Sequence, residues 1–429
     1  MGAQAATGIA ATQTTGHAKG DAIVRTGRTV ILCASQQRAK DMKRSETRIL
    51  TTHVGSLPRV EGLADLILDR EQGELVDEAV FSATLERAVR QVVERQLACG
   101  IDIGNDGEMP RPNFASYIVQ RMTGFGFGGS VTRPLPLDAK KFPIWFQFIS
   151  NSRRRRQNVY GWPQALEEIR YADMSGVAAE CAAFERCLAQ QPRGFQENFM
   201  TAVSPGFAAC TLINNHYDSH EAYVFALARE LKKEYEYIAS RGFVLQLDSP
   251  DIGMERSGYF QDRTLPEFLS IMEMHIAALN MALENIPAEK VRLHCCWGNR
   301  DGPHAHDVPC PDVLPVLYQA HVGALVLPFA NPRHAHEIEA FRRQKLPDRM
   351  LLVAGVIETT NNYVEHPEVV AERIARAVAC IGDRTRVLAG TDCGFGTIAG
   401  DAFTTEDVVW AKLSSLSEGA RIASGRLWP

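Results

Sequence analysis

Val291-Arg-Leu-His-Cys-Cys296, running on into Trp297-Gly298-Asn299, is a short apolar strand that ends in side chains able to bind a metal. Residues two apart on a strand share a face, so His294 and Cys296 aim together while Cys295 aims away. The pattern recurs. Val-, Ile- and Leu-rich runs cover residues 49–56, 101–108, 197–204, 243–248, 291–296, 324–329, 350–357 and 386–392. Helix-period stretches lie between them, at 75–99, 221–241, 265–283, 367–381 and 406–426. Eight strands alternating with helices over about 380 residues predict an α/β fold, a (β/α)8 TIM barrel. An open doubly wound sheet is the competing arrangement, but no G-x-G-x-x-G opens a helix after the first strand.

The interval from 110 to 196 is too long for one crossover helix. It is expected to be an insertion between the second and third strands, packed over one barrel mouth. It holds Gly124-Phe-Gly-Phe-Gly-Gly129 and Arg153-Arg-Arg-Arg156, the latter expected to be a solvated turn rather than an anion site. Residues 1–45 differ from the rest: rich in Ala, Gly, Thr and Gln, with seven Lys/Arg against Asp21 and Asp41 and no sustained period. They are expected to be a disordered extension, with a transit peptide as the alternative reading. Setting them aside leaves 39 bases against 49 acids, a formal charge of −10 on a single catalytic barrel of residues 46–429.

The whole chain of 429 residues is 45% hydrophobic and 23% charged, ordinary composition for a globular core. A formal net charge of −5 argues against a nucleic-acid coat, and no run of 18 apolar residues offers a membrane span. Ten cysteines at irregular spacing fit a reducing compartment, and a cytoplasmic location is expected.

In a barrel of this kind the chemistry sits where the strands end, because the loops there converge on one mouth. The predicted strands end in Thr51/His53/Ser56, Glu108, Ser204, Asp248, His294/Cys296, Asn331, Glu358 and Asp392/Cys393. An imidazole beside a thiolate suits Zn2+. The third ligand candidate is Cys393, at the end of the last strand and 97 residues after Cys296. Three protein ligands leave one zinc position open, the mark of a catalytic site.

Three motifs together resemble the cobalamin-independent methionine synthase family, in its catalytic C-terminal barrel. They are Thr51-Thr-His-Val-Gly-Ser-Leu-Pro-Arg59, His294-x-Cys296 and Gly390-Thr-Asp-Cys-Gly-Phe-Gly396. Smaller single-barrel relatives, including the zinc-dependent epoxyalkane:coenzyme M transferases, look closer still. The resemblance implies a barrel whose zinc, on His294, Cys296 and Cys393, presents a substrate thiol as a thiolate for alkylation. It implies that Glu108 and Asp248 hold a substrate ammonium group and that the loop of Ser56 contacts a carboxylate. The expected partners are therefore a small thiol and an alkyl donor.

Two departures stand out. The family's glutamate ligand is missing, since Ala324-Leu-Val-Leu-Pro-Phe-Ala330 has no carboxylate, and the duplicated barrel of folate-dependent enzymes is absent. A methyltransferase acting on a homocysteine-like thiol is thus the leading expectation. Epoxide–thiol transfer is second; there His304 and His306, just after the zinc strand, are candidate acids, and Arg59 or Arg111 would meet a sulfonate. A barrel hydrolase whose His-x-His pairs (His304/His306, His334/His336) bind zinc is third. Such a pair belongs at the end of the first strand, which offers only His53. A non-enzymatic zinc or thiol store needs less than this ring of carboxylates.

Overall fold

A computed structural model describes residues 42–152 and 162–429. The expected extension, apart from residues 42–45, and the Arg153–Arg156 run lie outside the described residues. Nine strands are described: β1 (Ile103–Gly104), β2 (Met122–Gly126), β3 (Gln164–Tyr171), β4 (Glu197–Val203), β5 (Val244–Asp248), β6 (Val291–His294), β7 (Ala324–Pro328), β8 (Leu351–Ile357) and β9 (Val387–Thr391). Seven of them form one parallel sheet in the order β1-β4-β5-β6-β7-β8-β9. The eighth position is filled by the chain around Thr51, which bridges Ala389 of β9 in parallel. The Ala389 N–H donates to the Leu50 carbonyl (2.9 Å), and the Ile103 N–H donates to that of Thr51 (3.0 Å). First and last segments therefore meet, and the sheet curls into the TIM-barrel-like α/β fold that the alternation predicts.

The first two strands are shorter than the sequence suggests, for a local reason. Asp102 turns its carboxylate onto the Thr51 N–H (2.9 Å) and onto Arg48, so a side chain does the work of ladder bonds. Past Gly104, side-chain bonds Asn105 Oδ1 to Gly107 N (2.8 Å) and Asp106 Oδ1 to Glu108 N (3.0 Å) fold the chain into a hook. β5 to β9 are buried throughout, as a parallel sheet covered on both faces requires, and β7 and β8 are wholly apolar.

Helix ends carry recognisable signals. Asp77 caps Glu78–Ala98, Thr264 and Glu267 form a capping box on Leu265–Ala282, and Pro367–Ile381 ends on Gly382 at φ 83°. In Glu78–Ala98 the buried Phe81, Ala88, Val89, Val92, Val93 and Gln96 form one face. Between β1 and β4 the chain adds the antiparallel pair β2–β3 and the short helices Leu137–Lys141 and Pro143–Ser152. It returns through Ser175–Gln190, whose Phe184 stacks on Phe243.

Alternation fixes what fills the barrel. Leu50, Ile103, Phe199, Val244, Ala324, Val326, Leu351, Val353 and Leu388 form an inner apolar cluster. Arg292 lies over the Phe199 ring (3.8 Å) and donates to Thr52 Oγ1 (3.3 Å). By the same parity Asp248, two residues beyond Gln246, and His294, two beyond Arg292, belong to the next layer, at the carboxyl ends of the strands.

Candidate active site

β5 and β6 are in register with Asp248 opposite His294. Asp248 Oδ1 lies 3.0 Å from His294 Nδ1. A carboxylate there holds a proton on Nδ1 and fixes the ring, with Nε2 3.4 Å from the Asp392 carbonyl; loss of the Nε2 proton would free that lone pair for a metal. Beyond His294 the backbone stays paired, Cys295 N–H donating to Val326 O (3.1 Å), so Cys295 points back into the core and Cys296 forward. Cys393 follows β9. The donor atoms of His294, Cys296 and Cys393 all lie within 4.8 Å of one another, and all three residues are buried.

The three groups shift one another's protonation. Cys296 is held well below the usual thiol range, by the Cys393 thiol that hydrogen-bonds to it and by His294. Burial lowers the His294 imidazole, but Cys296 and Asp248 overcome that and push it up to about 10. Two sulfurs and an imidazole within reach of one centre are a donor set that fits Zn2+, whose binding would displace those protons.

The loop after β9 is pressed onto the segment after Thr51. The N–H groups of Phe395 (2.9 Å) and Gly396 (3.4 Å) donate to the Ser56 carbonyl, and a Cβ on Gly394 would meet Ser56 Oγ at 2.0 Å. Cys393 is thereby set beside Ser56. On the other flank, a Cβ on Gly253 would meet the Cys296 carbonyl at 2.6 Å.

Glu108 sits at the tip of the hook after β1, with φ at 56°, a conformation that costs a non-glycine residue energy. Its Oε1 accepts from Thr201 Oγ1 (2.7 Å), while its Oε2 is buried without a hydrogen-bond partner. Burial, with a contribution from Asp248 and against the pull of Arg111, raises this carboxyl to about 7. Gly55, at φ 142°, leaves the carboxylate its room; a Cβ there would lie 2.9 Å from Oε1.

Ser56, Glu108, Asp248, His294, Cys296 and Cys393 all line one cavity of about 760 Å3, counting its open mouth. All three expected metal ligands and all three expected substrate-binding residues are thus brought together. His304 and His306 are not. His304 turns Nδ1 to Asp307 (2.8 Å) and Nε2 to the Arg300 carbonyl (3.1 Å), and His306 pairs with Asp138 (2.6 Å). His334 is bonded through both ring nitrogens, to Asp307 (2.9 Å) and Glu337 (2.8 Å).

Arg59 and Arg111 do not line the cavity either. Arg111 is committed to Glu180 (2.9 Å) and Thr201 (2.9 Å), and Arg59 donates to the carbonyls of Gly396 (2.6 Å) and Arg111 (2.5 Å). Glu358 is spent on its own turn, accepting from Thr360 N (2.9 Å). Asp392 accepts from the N–H groups of Phe329 (3.0 Å), Ala330 (2.9 Å) and Asn331 (2.7 Å), which braces the end of β7, the strand that has no carboxylate of its own.

The sequence did not flag Phe114, Met254 and Ile398, which give the cavity apolar walls, nor Asn299 and Arg300 at its edge. For Asn299 and Arg300 a signal existed, since both follow the His-x-Cys strand directly. The Asp248–His294 bond was also missed, and it carries an expected outcome. Asp248→Asn should lower zinc affinity by about 10- to 100-fold, measured by competition with a chelating dye; unchanged affinity would remove Asp248 from the ligand support.

No family model matches the chain. It is 23% identical over 379 residues to a methionine synthase of Sulfurisphaera tokodaii, across 88% of this chain and 93% of that protein. It is 24% identical over 381 residues to a methionine synthase of Thermococcus kodakarensis, across 88% and 94%. Among solved structures, a B12-independent methionine synthase from Shewanella sp. W3-18-1 in complex with selenomethionine matches with a TM-score of 0.66 at 20% identity. That match covers 89% of this chain and 99% of the other. The resemblance carried by the three motifs is borne out across nearly the whole barrel.

Proposed function

We propose that this relative of the cobalamin-independent methionine synthases is a zinc-dependent methyltransferase acting on a small aminothiol of the homocysteine kind. One observation carries the reading. A His/Cys/Cys donor set and a carboxylate with one unpartnered buried oxygen belong to residues lining the same cavity. A thiol and an ammonium group on one small molecule would satisfy both.

His294, Cys296 and Cys393 would hold Zn2+, which when bound supplies the Lewis acidity that keeps a substrate thiol deprotonated at neutral pH. The remaining steps fall to the chain. Asp248 keeps the His294 ring turned toward the metal. Glu108 anchors the ammonium, and the Ser56 loop meets the amino acid's carboxylate. Phe114, Met254 and Ile398 keep the reacting sulfur dry and aimed at the methyl carbon. In the transfer a C–S bond forms, the bond from carbon to the donor's leaving atom breaks, and that atom leaves with the electron pair. The working unit in this reading is the barrel of 46–429 with 110–196 as its insertion and 1–45 outside it. It would work in the cytoplasm, where cysteines stay reduced; the nine described cysteines are all free. No described helix is long and apolar enough to cross a membrane.

One observation favours a second reading, epoxide–thiol transfer onto a sulfonate thiol such as coenzyme M. Arg300 lines the cavity and has no ion-pair partner among the described residues. Calorimetry separates the two. Homocysteine titrated into zinc-loaded protein should bind and release a proton, visible as a heat that varies with buffer ionisation enthalpy, while coenzyme M should not. Proton release with coenzyme M alone would overturn the ranking.

A further inference from the structure

Outside the cavity a second donor cluster stands at the edge of the barrel. Cys210 lies on the helix Pro205–Thr211, His220 opens His220–Ser240 and His275 lies within Leu265–Ala282. Their donor atoms are all within 4.8 Å of one another. We propose that Cys210, His220 and His275 bind a second metal ion, a borderline-soft divalent cation of the Zn2+ class, independent of the first.

The surroundings favour a cation in several ways. Asp251 Oδ2 lies 2.8 Å from His275 Nδ1, and Asp251 is itself held by Ser249 Oγ (2.8 Å) and Ser204 Oγ (3.3 Å). A carboxylate on one imidazole nitrogen is the support that metal-bound histidines use, because it fixes the tautomer and aims the other lone pair. That lone pair, on His275 Nε2, faces His220 Nε2 at 2.8 Å, so one of the two nitrogens must carry a proton between them. The other nitrogen of His220, Nδ1, is buried without a partner. Cys210 is fully buried, and burial together with Glu255 and Asp251 holds its thiol well above the usual range. Arg133, which donates to the Cys210 carbonyl (3.4 Å), does not overcome that; a divalent ion bound directly to the sulfur would, displacing the Cys210 proton and the proton shared by the two rings. Zinc donors in a tetrahedral shell stand roughly 3.3–3.6 Å apart, so the rings need to part by about half an ångström.

The His304/Asp307/His334 group makes a useful contrast, because every ring nitrogen there already has a protein partner. The two proposed sites also share one mounting. Asp248 supports His294 and, three residues on, Asp251 supports His275.

The test is metal content of the full chain after zinc reconstitution and removal of free metal. Wild type should hold two equivalents and the Cys296→Ser/Cys393→Ser protein one. X-ray absorption of that remaining zinc should show one sulfur and two imidazoles. Adding Cys210→Ser and His220→Gln should remove it while near-ultraviolet circular dichroism stays native. In the cobalt form, the thiolate charge-transfer band left in the Cys296→Ser/Cys393→Ser protein should vanish with Cys210→Ser. A natively folded Cys296→Ser/Cys393→Ser protein without metal would overturn the proposal, as would retention that survives Cys210→Ser and His220→Gln together. One equivalent in wild type that depends on Cys210 alone would instead sink the catalytic zinc and leave this site standing.

Discussion

Cys296→Ser and Cys393→Ser should each lose stoichiometric zinc from the cavity and reduce methyl transfer by about 10^3-fold or more. Each change removes one of two sulfurs from a three-donor set whose atoms lie within 4.8 Å of one another. A hydroxyl is a poor replacement for a thiolate on zinc. Without the metal a substrate thiol of pKa near 8.5 is only about 3% ionised at pH 7, a roughly 30-fold loss. The reacting sulfur is also no longer fixed in position, and the two effects together amount to about 4 kcal/mol of barrier. Metal content by mass spectrometry and a single-turnover assay are the readouts. Both variants keeping metal at wild-type affinity would refute the assignment of the site.

Glu108→Gln should raise KM for an aminothiol by about 10^2-fold, with a smaller change in kcat. The neutral amide keeps the shape but loses the charge that an ammonium needs, and a charge-assisted hydrogen bond is worth up to about 3 kcal/mol. A thiol lacking the amine should show no such change. The pH profile follows from the carboxyl's raised value of about 7, caused first by burial and then by Asp248, with Arg111 opposing. Below that pH the carboxyl is neutral and cannot hold the ammonium, so kcat/KM of wild type should rise with pH and level off above it. Bound Zn2+ nearby would shift this limb to lower pH without reversing its sign. Glu108→Gln should flatten the limb. A variant that keeps the wild-type slope would show that another group titrates.

The barrel was legible because its parallel strands are buried on both faces and several are therefore written as unbroken apolar runs, as in Ala324–Pro328 and Leu351–Ile357. The metal cluster was legible because strand parity aims His294 and Cys296 together. What escaped depends on partners distant in the chain. Arg111 looks available for an anion until Glu180, 69 residues on, is seen to claim it. Glu108 looks like the end of an extended strand until Asp106 and Asn105 hook the backbone under it. Asp392 looks like part of the mouth, yet its lone pairs go to three backbone N–H groups. Cys210, His220 and His275 sit on three helices with no repeating interval, so nothing in their spacing marks them as neighbours.

The ring of strands closes where the Thr51 segment joins β9, more than 330 residues along the chain. That seam is also where Cys393 comes to rest beside Ser56. During synthesis His294 and Cys296 emerge well before β9 and cannot acquire their third donor until it does. Two donors alone would bind weakly, and pairing segments this far apart is slow because loop-closure entropy must be met before the contacts reward it. With zinc on the proposed ligands, tight capture of the ion would therefore wait for the barrel to close, and a chain that fails to complete its barrel would also lack its full donor set.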